Sequence, residues 1–243
     1  MIVTFSNTGN SQFTISTSIS GAKSEWASVS GASSGLLSYD DGEGEKEFTI
    51  LIDPDDSVGA GSEHVLTIEG NDGSSGPTLC EVDLRVIVGQ SHGAAMSLST
   101  STINQVEPGG NGSIEVTVMN LGNGPDTLKL STSAPPVGWS VSLSSSTVNV
   151  GSRHGTSSQA TVEVMVYAPF DALADDAFSI VISVIPNNGG EAYASDEVTI
   201  TVMPVHDWDV EETDIKNQTG RSGTMVNFPI TLVNDGNIGD DFM

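Results

Sequence analysis

The sequence has one cysteine, few basic residues and no long apolar segment. Cys80 is the only cysteine in 243 residues, so no disulfide forms within the chain and a secreted eukaryotic origin is disfavoured. The chain has only 7 Lys and Arg residues, which are scattered singly, against 32 Asp and Glu residues, so its formal net charge is -25. This imbalance argues against nucleic acid and anionic membrane surfaces as partners. Because no segment reaches the roughly 18 apolar residues of a membrane span, we expect no direct membrane insertion by this segment.

An internal repeat of about 114 residues organises the chain. Three segments alternate apolar and polar residues and then end in Asn-x-Gly-Asn: Val3–Asn10, Val116–Asn123 and Ile230–Asn237. Similar offsets relate Trp26 to Trp139 (113), Pro54 to Pro169 (115), Val86 to Ile200 (114) and His92 to His206 (114). The repeat predicts an immunoglobulin-like sandwich lacking its first strand or strands at 1–92, a complete sandwich at 93–205, and the truncated start of a third at 206–243.

Alternation with a period of two predicts the fold class. Within the second copy, Ile114, Val116 and Val118 alternate with polar neighbours, as do Val162, Val164 and Val166. About seven such segments, separated by Gly, Pro, Asn or Ser clusters, fit the roughly 100 residues of an immunoglobulin-like domain. The sequence therefore predicts an all-β protein of tandem immunoglobulin-like β-sandwiches.

The residues that recur from copy to copy have structural interpretations. In the turns at Asn7 and Gly9, Asn120 and Gly122, and Asn234 and Gly236, we expect glycine to adopt positive φ while asparagine bonds nearby backbone. Trp26 and Trp139 are expected to fill the cores, and Pro54 and Pro169 to follow strands. An exposed tryptophan that stacks on a sugar is the alternative for Trp139.

A family resemblance rests on four segments of the second copy. It resembles the NPCBM-associated (alpha-galactosidase-associated) Ig-like domain and is similar to the CARDB (cell-adhesion-related) family. The resemblance covers most of 100–203 and, more weakly, 1–90, where Ser57 stands in place of Ala172. It implies tandem modules of prokaryotic surface and secreted proteins, beside enzymes or adhesins, with no catalytic residues of their own. The segments are Val116–Asn123, Gly138–Leu143, Val162–Pro169 and Asp171–Ala172.

Two segments match the nucleophile pattern G-x-S-x-G, with Ser33 and Ser91 at the serine position. Ser91 follows an apolar alternation, as a nucleophile elbow requires, but the Ser/Thr-rich residues 97–102 are poor helix formers. The four histidines, His64, His92, His154 and His206, show no metal-ligand spacing, and Cys80 has no nearby partner. We therefore expect no catalytic residues and no enzyme.

Calcium is the one cofactor that the sequence leaves open. Asp53, Asp55 and Ser57 alternate as oxygen ligands do in calcium loops. An EF-hand is excluded, because Val58 occupies its glycine position and His64 its bidentate glutamate position. The acidic run from Asp40 to Glu45 is a second candidate, with a solvated loop as the alternative.

These observations favour a non-enzymatic extracellular spacer or adhesion segment of a larger prokaryotic cell-surface protein, with an archaeal source as one option. The expected partners are neighbouring domains of the parent chain, with surface proteins or glycans as further candidates. The alternative function is an accessory carbohydrate-binding region of a secreted glycoside hydrolase or other hydrolase. The acidic residues are spread along the chain, which suits solubility at a cell surface rather than one charged site.

Overall fold

The computed structural model describes residues 1–39, 44–211 and 219–241, which form two compact units. The first contains Met1–His92 together with Gly122–Gly124, and the second contains Gly93–Leu121 and Pro125–Met243. Both are built from β-strands, with one 3₁₀ turn at Ser24–Trp26. The predicted all-β, tandem-sandwich fold class is confirmed. Within the described ranges, no helix is long and apolar enough to cross a membrane.

The first unit consists of seven strands in two sheets. One sheet has the order β1-β5-β3 and the other β4-β2-β6-β7, and every neighbouring pair is antiparallel. Strands β1 and β7 each lie at the edge of a sheet. The strands are β1 (Ile2–Ser6), β2 (Phe13–Gly21), β3 (Ala27–Ser30), β4 (Ser34–Leu37), β5 (Glu45–Ile52), β6 (Glu63–Asp72) and β7 (Thr78–Ile87).

The second unit contains a nine-stranded sandwich. Its sheets have the orders β12-β14-β10-β8 and β13-β11-β15-β16-β9, and β9 runs parallel to β16. The strands are β8 (Ala94–Leu98), β9 (Thr102–Val106), β10 (Asn111–Asn120), β11 (Asp126–Thr132), β12 (Ser140–Leu143), β13 (Thr147–Val150), β14 (Gln159–Tyr167), β15 (Ala177–Pro186) and β16 (Ala194–Val202).

Two of these nine strands, β9 and β13, were not anticipated by the count of about seven. Both are short, and β9 contains Gln105 at φ 64° beside a register shift in its pairing with β16. This irregularity separates the buried residues Ile103 and Val106 by three positions and so breaks the alternation that identifies a strand.

Alternating side chains from the two sheets form each core. In the second unit Val116, Val118, Ile180 and Ile182 are fully buried between the sheets. In the first unit Val3, Phe5, Leu66 and Ile68 are the buried residues at the same repeat positions. The alternating pattern thus produces the same sandwich interior twice.

The end of the chain adds a separate two-stranded sheet to the second unit. Strands β17 (Trp208–Glu211) and β18 (Thr231–Asn234) pair antiparallel, and all eight of their residues are exposed. A two-stranded sheet without a covered apolar face is only marginally stable by itself.

Candidate interaction site

The two repeated tryptophans lie inward but at different depths. Trp26 is 5% exposed and packs edge-on against His64, with ring centroids 4.6 Å apart. Trp139 is half-buried against the core and makes the same edge-on contact with Phe178, also at 4.6 Å. Beside Trp26, the pKa of Glu25 is lowered by a backbone hydrogen bond and, more weakly, by Lys23. Both indole rings are engaged by the protein rather than displayed as flat platforms.

Neither G-x-S-x-G segment lies in a strand-turn-helix elbow. Ser91 lies in a loop that leads into a strand, β8, and its Oγ accepts a hydrogen bond from the backbone N–H of Asn123 at 3.3 Å. Ser33 precedes β4, and its carbonyl accepts a bond from Thr17. The local fold therefore lacks the strained turn that would present either hydroxyl as a nucleophile.

The candidate metal ligands are dispersed. Among the described residues, no group of three or more His, Cys, Asp or Glu side chains could hold a metal ion. Cys80 is exposed on β7, His154 accepts a bond from Arg153, and His206 Nδ1 lies 2.6 Å from Asp240 Oδ1. In the part of the chain that the structure describes, no third His, Cys, Asp or Glu side chain completes a ligand set with His154 or with the His206–Asp240 pair.

The candidate calcium segment forms a turn that bonds to itself. Asp53, Asp55 and Ser57 are all exposed, and Asp55 Oδ1 accepts a 2.9 Å hydrogen bond from the Ser57 backbone N–H. Pro54 and Pro169 both follow strands, β5 and β14. Asp40 to Glu43 of the acidic run lie outside the described residues, whereas Glu45 begins β5 and accepts a bond from Ser6.

The first asparagine of each Asn-x-Gly-Asn turn bonds backbone groups of its own turn or of a neighbouring loop. Asn7 Oδ1 accepts from Gly9 N–H at 2.9 Å, and Asn234 Oδ1 accepts from Gly236 N–H at 2.9 Å. Asn120 is fully buried and its Nδ2 donates to the carbonyl of Gly151 at 2.8 Å. These asparagines therefore replace backbone partners that the reversing chain cannot supply.

The glycine of the motif does not have the expected positive φ. Gly9, Gly122 and Gly236 all lie outside the positive-φ region, so that prediction is wrong. At two of these positions, glycine is favoured because little space is left for a side chain. A Cβ on Gly236 would overlap the carbonyl oxygen of Val205, and a Cβ on Gly9 would lie 3.2 Å from Asn7 Oδ1. At Gly236, the absence of a Cβ permits a close approach of two backbone segments.

The second asparagine of the motif makes the more informative contacts. In the first unit, Asn123 Nδ2 donates to the carbonyls of Val58 (3.3 Å) and Gly89 (3.0 Å). Asn123 Oδ1 accepts from the Ser91 N–H at 2.8 Å, and its carbonyl accepts from Ala60 N–H at 3.1 Å. One side chain thus ties together a loop after β5 and the segment after β7.

The same set of bonds recurs in the second unit. Asn237 Nδ2 donates to the carbonyls of Ala172 (3.3 Å) and Met203 (3.0 Å), and its Oδ1 accepts from Val205 N–H at 2.7 Å. The carbonyl of Asn237 accepts from Ala174 N–H at 3.1 Å. Each of these five residues is 114 positions beyond its counterpart in the first unit. We call this four-bond arrangement the asparagine clamp.

The chemistry of the clamp requires an amide side chain. Both amide hydrogens of Asn123 or Asn237 point at carbonyl oxygens while Oδ1 receives a backbone N–H, which neither a carboxylate nor a hydroxyl can reproduce. Sequence reasoning identified the motif but not the role of its second asparagine. The sequence feature that could have indicated this role is the presence of the second asparagine in all three copies, as Asn10, Asn123 and Asn237.

A cleft lies beside the clamp of the second unit. It has a volume of about 840 Å³ and is lined by Phe170, Leu173, Met203, Asp235 and Asn237 among others. Phe170 is 90% exposed, so an apolar surface is open to solvent at its rim. The residues at the same repeat positions as Phe170 and Leu173 are Asp56 and Gly59, so the clamp recurs but the cleft chemistry does not.

No family model matches the chain, and no curated protein matches it. Among solved structures, the chain is similar to domains 4 and 5 of the S-layer protein SbsC, with 16% identity and a TM-score of 0.33, covering 63% of this chain and 67% of that one. It is also similar to a family 123 glycoside hydrolase from Clostridium perfringens, with 11% identity and a TM-score of 0.36, covering 45% of this chain and 27% of the hydrolase. Salmonella alpha-2-macroglobulin gives 17% identity and a TM-score of 0.34, covering 74% of this chain and 11% of that one. With identities below 25% and TM-scores below 0.5, these similarities support no inference about function.

Proposed function

We propose that the chain is a non-enzymatic spacer or adhesion segment of a larger prokaryotic cell-surface protein, located outside the cell. In this proposal tandem sandwiches hold neighbouring parts of the parent protein at a fixed spacing. We include in this proposal that the sandwiches are related to the NPCBM-associated and CARDB-like domains that the sequence resembles.

The observation that carries the proposal is the asparagine clamp. Four hydrogen bonds recur with residues displaced by 114 positions and donor–acceptor distances that agree within about 0.1 Å. Within each unit, the clamp holds the Asn-x-Gly-Asn turn against the loop after β5 or β14 and the segment after β7 or β16. A turn fixed in this way in each unit suits a chain that must transmit tension.

The surface charge also suits this role. A net charge of -25, from acidic residues spread along both units, keeps an extended protein soluble and resists self-association. Acidic residues distributed along both copies would serve a spacer, whereas a binding site concentrates its charges.

Force spectroscopy on the full chain, tethered at its two ends, tests the proposal. The nine-stranded sandwich at 93–205 should unfold in one cooperative event that releases about 35–40 nm of chain, given about 3.3–3.6 Å per extended residue. Extension without a force peak would contradict a mechanical role.

A glycan array tests the alternative function on the same protein. The spacer proposal expects no retention on any glycan, because Trp26 and Trp139 are packed against His64 and Phe178. Specific, saturable glycan binding that is lost in Trp208→Ala, whose indole is exposed, would instead favour the accessory carbohydrate-binding region.

A further inference from the structure

The cleft of the second unit has an apolar lining that the clamp does not require. Three long apolar side chains line it: Phe170, Leu173 and Met203. In the first unit the same clamp forms with Asp56, Gly59 and Gly89 at the corresponding positions. Because the loops take the same bonds with and without these side chains, the fold alone does not explain their presence.

Two of these apolar side chains are open to solvent. Phe170 is 90% and Leu173 is 61% exposed, whereas Ala172 of the same loop is buried. Their counterparts Asp56 and Gly59 are exposed as well, in a unit after which the chain continues through a complete sandwich. The openness of this loop is therefore a property of the repeat. Large exposed apolar side chains that the fold does not need are typical of a binding surface.

The cleft also contains carboxylates that no cation neutralises. Glu107, Asp171 and Asp235 line it and are exposed, and none of them forms an ion pair with another described residue. Among the described residues of the lining there is no Lys or Arg. Negative charge beside an apolar surface is complementary to a cation that has an apolar neighbour.

The aromatic ring in the cleft is supported by the turn between β9 and β10. A Cβ at residue 109 would lie 2.4 Å from two ring carbons of Phe170, so the ring packs against the backbone of Gly109. The Gly109 N–H donates to the Pro169 carbonyl at 3.0 Å, which joins this turn to the residue before Phe170. An exposed ring near carboxylates suits a guanidinium, which stacks on aromatic rings and pairs with carboxylates through two N–H groups.

We propose that this cleft binds a segment of a partner protein in which an arginine adjoins an apolar side chain. The guanidinium stacks on Phe170 and pairs with Glu107 or Asp171, while the apolar side chain contacts Leu173 and Met203. The volume of about 840 Å³ lies within the range of ligand sites. A second copy is a poor source of the segment, because the chain has 7 scattered Lys and Arg and a net charge of -25. The site adds to the spacer function and does not depend on it.

Titration of capped synthetic peptides into the full chain tests the chemistry. Three peptides of equal length carry a Leu-Leu pair flanked by two arginines, two lysines or two glutamates. The arginine peptide should bind saturably and the lysine peptide more weakly, because an ammonium lacks the planar fork of donors. The glutamate peptide should not bind, since the carboxylates of the cleft repel it.

Amide chemical shifts measured by NMR locate the bound peptide. Saturable shifts should occur at Leu173 and Met203. The amides of Gly59 and Gly89 should not shift, because the first unit has the same clamp without the apolar side chains. The first unit thus serves as a control within the same molecule.

Substitutions separate the apolar contribution from the charged one. Phe170→Ser should weaken binding of the arginine peptide about fivefold, and Glu107→Gln combined with Asp171→Asn about two- to fivefold at low ionic strength. Val137→Ser and Glu163→Gln are the matched controls, since both residues are exposed outside the cleft, and they should leave the affinity unchanged. Circular dichroism of each variant checks folding.

The proposal is wrong if no peptide binds saturably or if the glutamate peptide binds as tightly as the arginine peptide. An affinity that Phe170→Ser leaves unchanged would also overturn it. Equal shifts at Gly59 and Gly89 would do the same, because the peptide would then recognise the clamp and not the lining of the cleft. None of these outcomes changes the unfolding force of the sandwich, so the spacer proposal and this one fail separately.

Discussion

The sandwich of the first unit and that of the second share an interior and differ at their edges. Val3 and Phe5 are buried as Val116 and Val118 are, yet two residues of β7 are half-buried where their counterparts on β16 are inaccessible. The difference comes from β8 and β9, which cover the second sandwich and have no counterpart in the described part of the first. The comparison teaches that the alternating pattern makes a sandwich core, while the opening strands of a repeat close it.

The largest expected effect comes from the tryptophans. Trp26→Ala should cost the first unit about 3–5 kcal/mol of stability, since a nearly inaccessible indole leaves a large cavity. Trp139→Ala should cost the second unit less, because that side chain is only half-buried. Denaturant unfolding followed by circular dichroism would show two transitions, of which each variant shifts one. An equal loss of stability in the two units would mean that the burial of the tryptophan does not determine how much its replacement costs.

The next effect concerns the clamp. Asn237→Asp removes both donors and points a carboxylate at the carbonyls of Ala172 and Met203, so local opening should become easier by about 2–3 kcal/mol. Hydrogen exchange of the Ala174 and Val205 amides, which donate to Asn237, measures the change. Asn123→Asp should have a similar effect on the Ala60 and Ser91 amides.

Asn10→Asp provides the matched control for the clamp. Asn10 has the same motif position, but its side chain is exposed and makes no hydrogen bond within the described residues. It should therefore leave amide exchange unchanged. If it slows or speeds exchange as much as Asn237→Asp does, added charge and not the loss of the clamp would be the cause.

A smaller effect should follow from exchanging the partners of the tryptophans. The buried Nε2 of His64 has no hydrogen-bond partner among the described residues, whereas Phe178 makes the same ring contact without a polar atom. His64→Phe should stabilise the first unit by about 1 kcal/mol, and Phe178→His should destabilise the second by about as much. Urea midpoints of the two transitions report both changes. If His64→Phe instead destabilises the first unit, the imidazole has a hydrogen-bond partner that contributes to stability.

The smallest effect is expected from cations. Screening the charge of -25 should raise the melting temperature of both units in sodium chloride. Millimolar calcium should add nothing beyond sodium chloride of equal ionic strength if Asp53, Asp55 and Ser57 form only a turn. A specific increase, lost in Asp55→Asn, would instead identify a calcium site in the first unit.

Much of the architecture follows from local sequence. Alternation located β10, β14, β15 and β16 because their side chains face a core on one side and solvent on the other. The alternation does not reveal β9, because Gln105 has a positive φ and interrupts the period of two along this strand. The Asn-x-Gly-Asn turns were located correctly, but the expected positive φ of their glycines was wrong; at Gly236 the constraint is the close backbone of Val205 and Asp207, which the sequence of the turn does not show.

The sequence by itself determined the repeat length, the strand pattern, the acidic surface and the inward orientation of Trp26, since each depends on residue type and spacing. Tertiary structure alone decided what the second asparagine of each turn does. The clamp acceptors are backbone carbonyls 34 and 65 residues away, and backbone groups are the same for nearly every residue type. Their positions become known only when the chain has folded and brought the loops together.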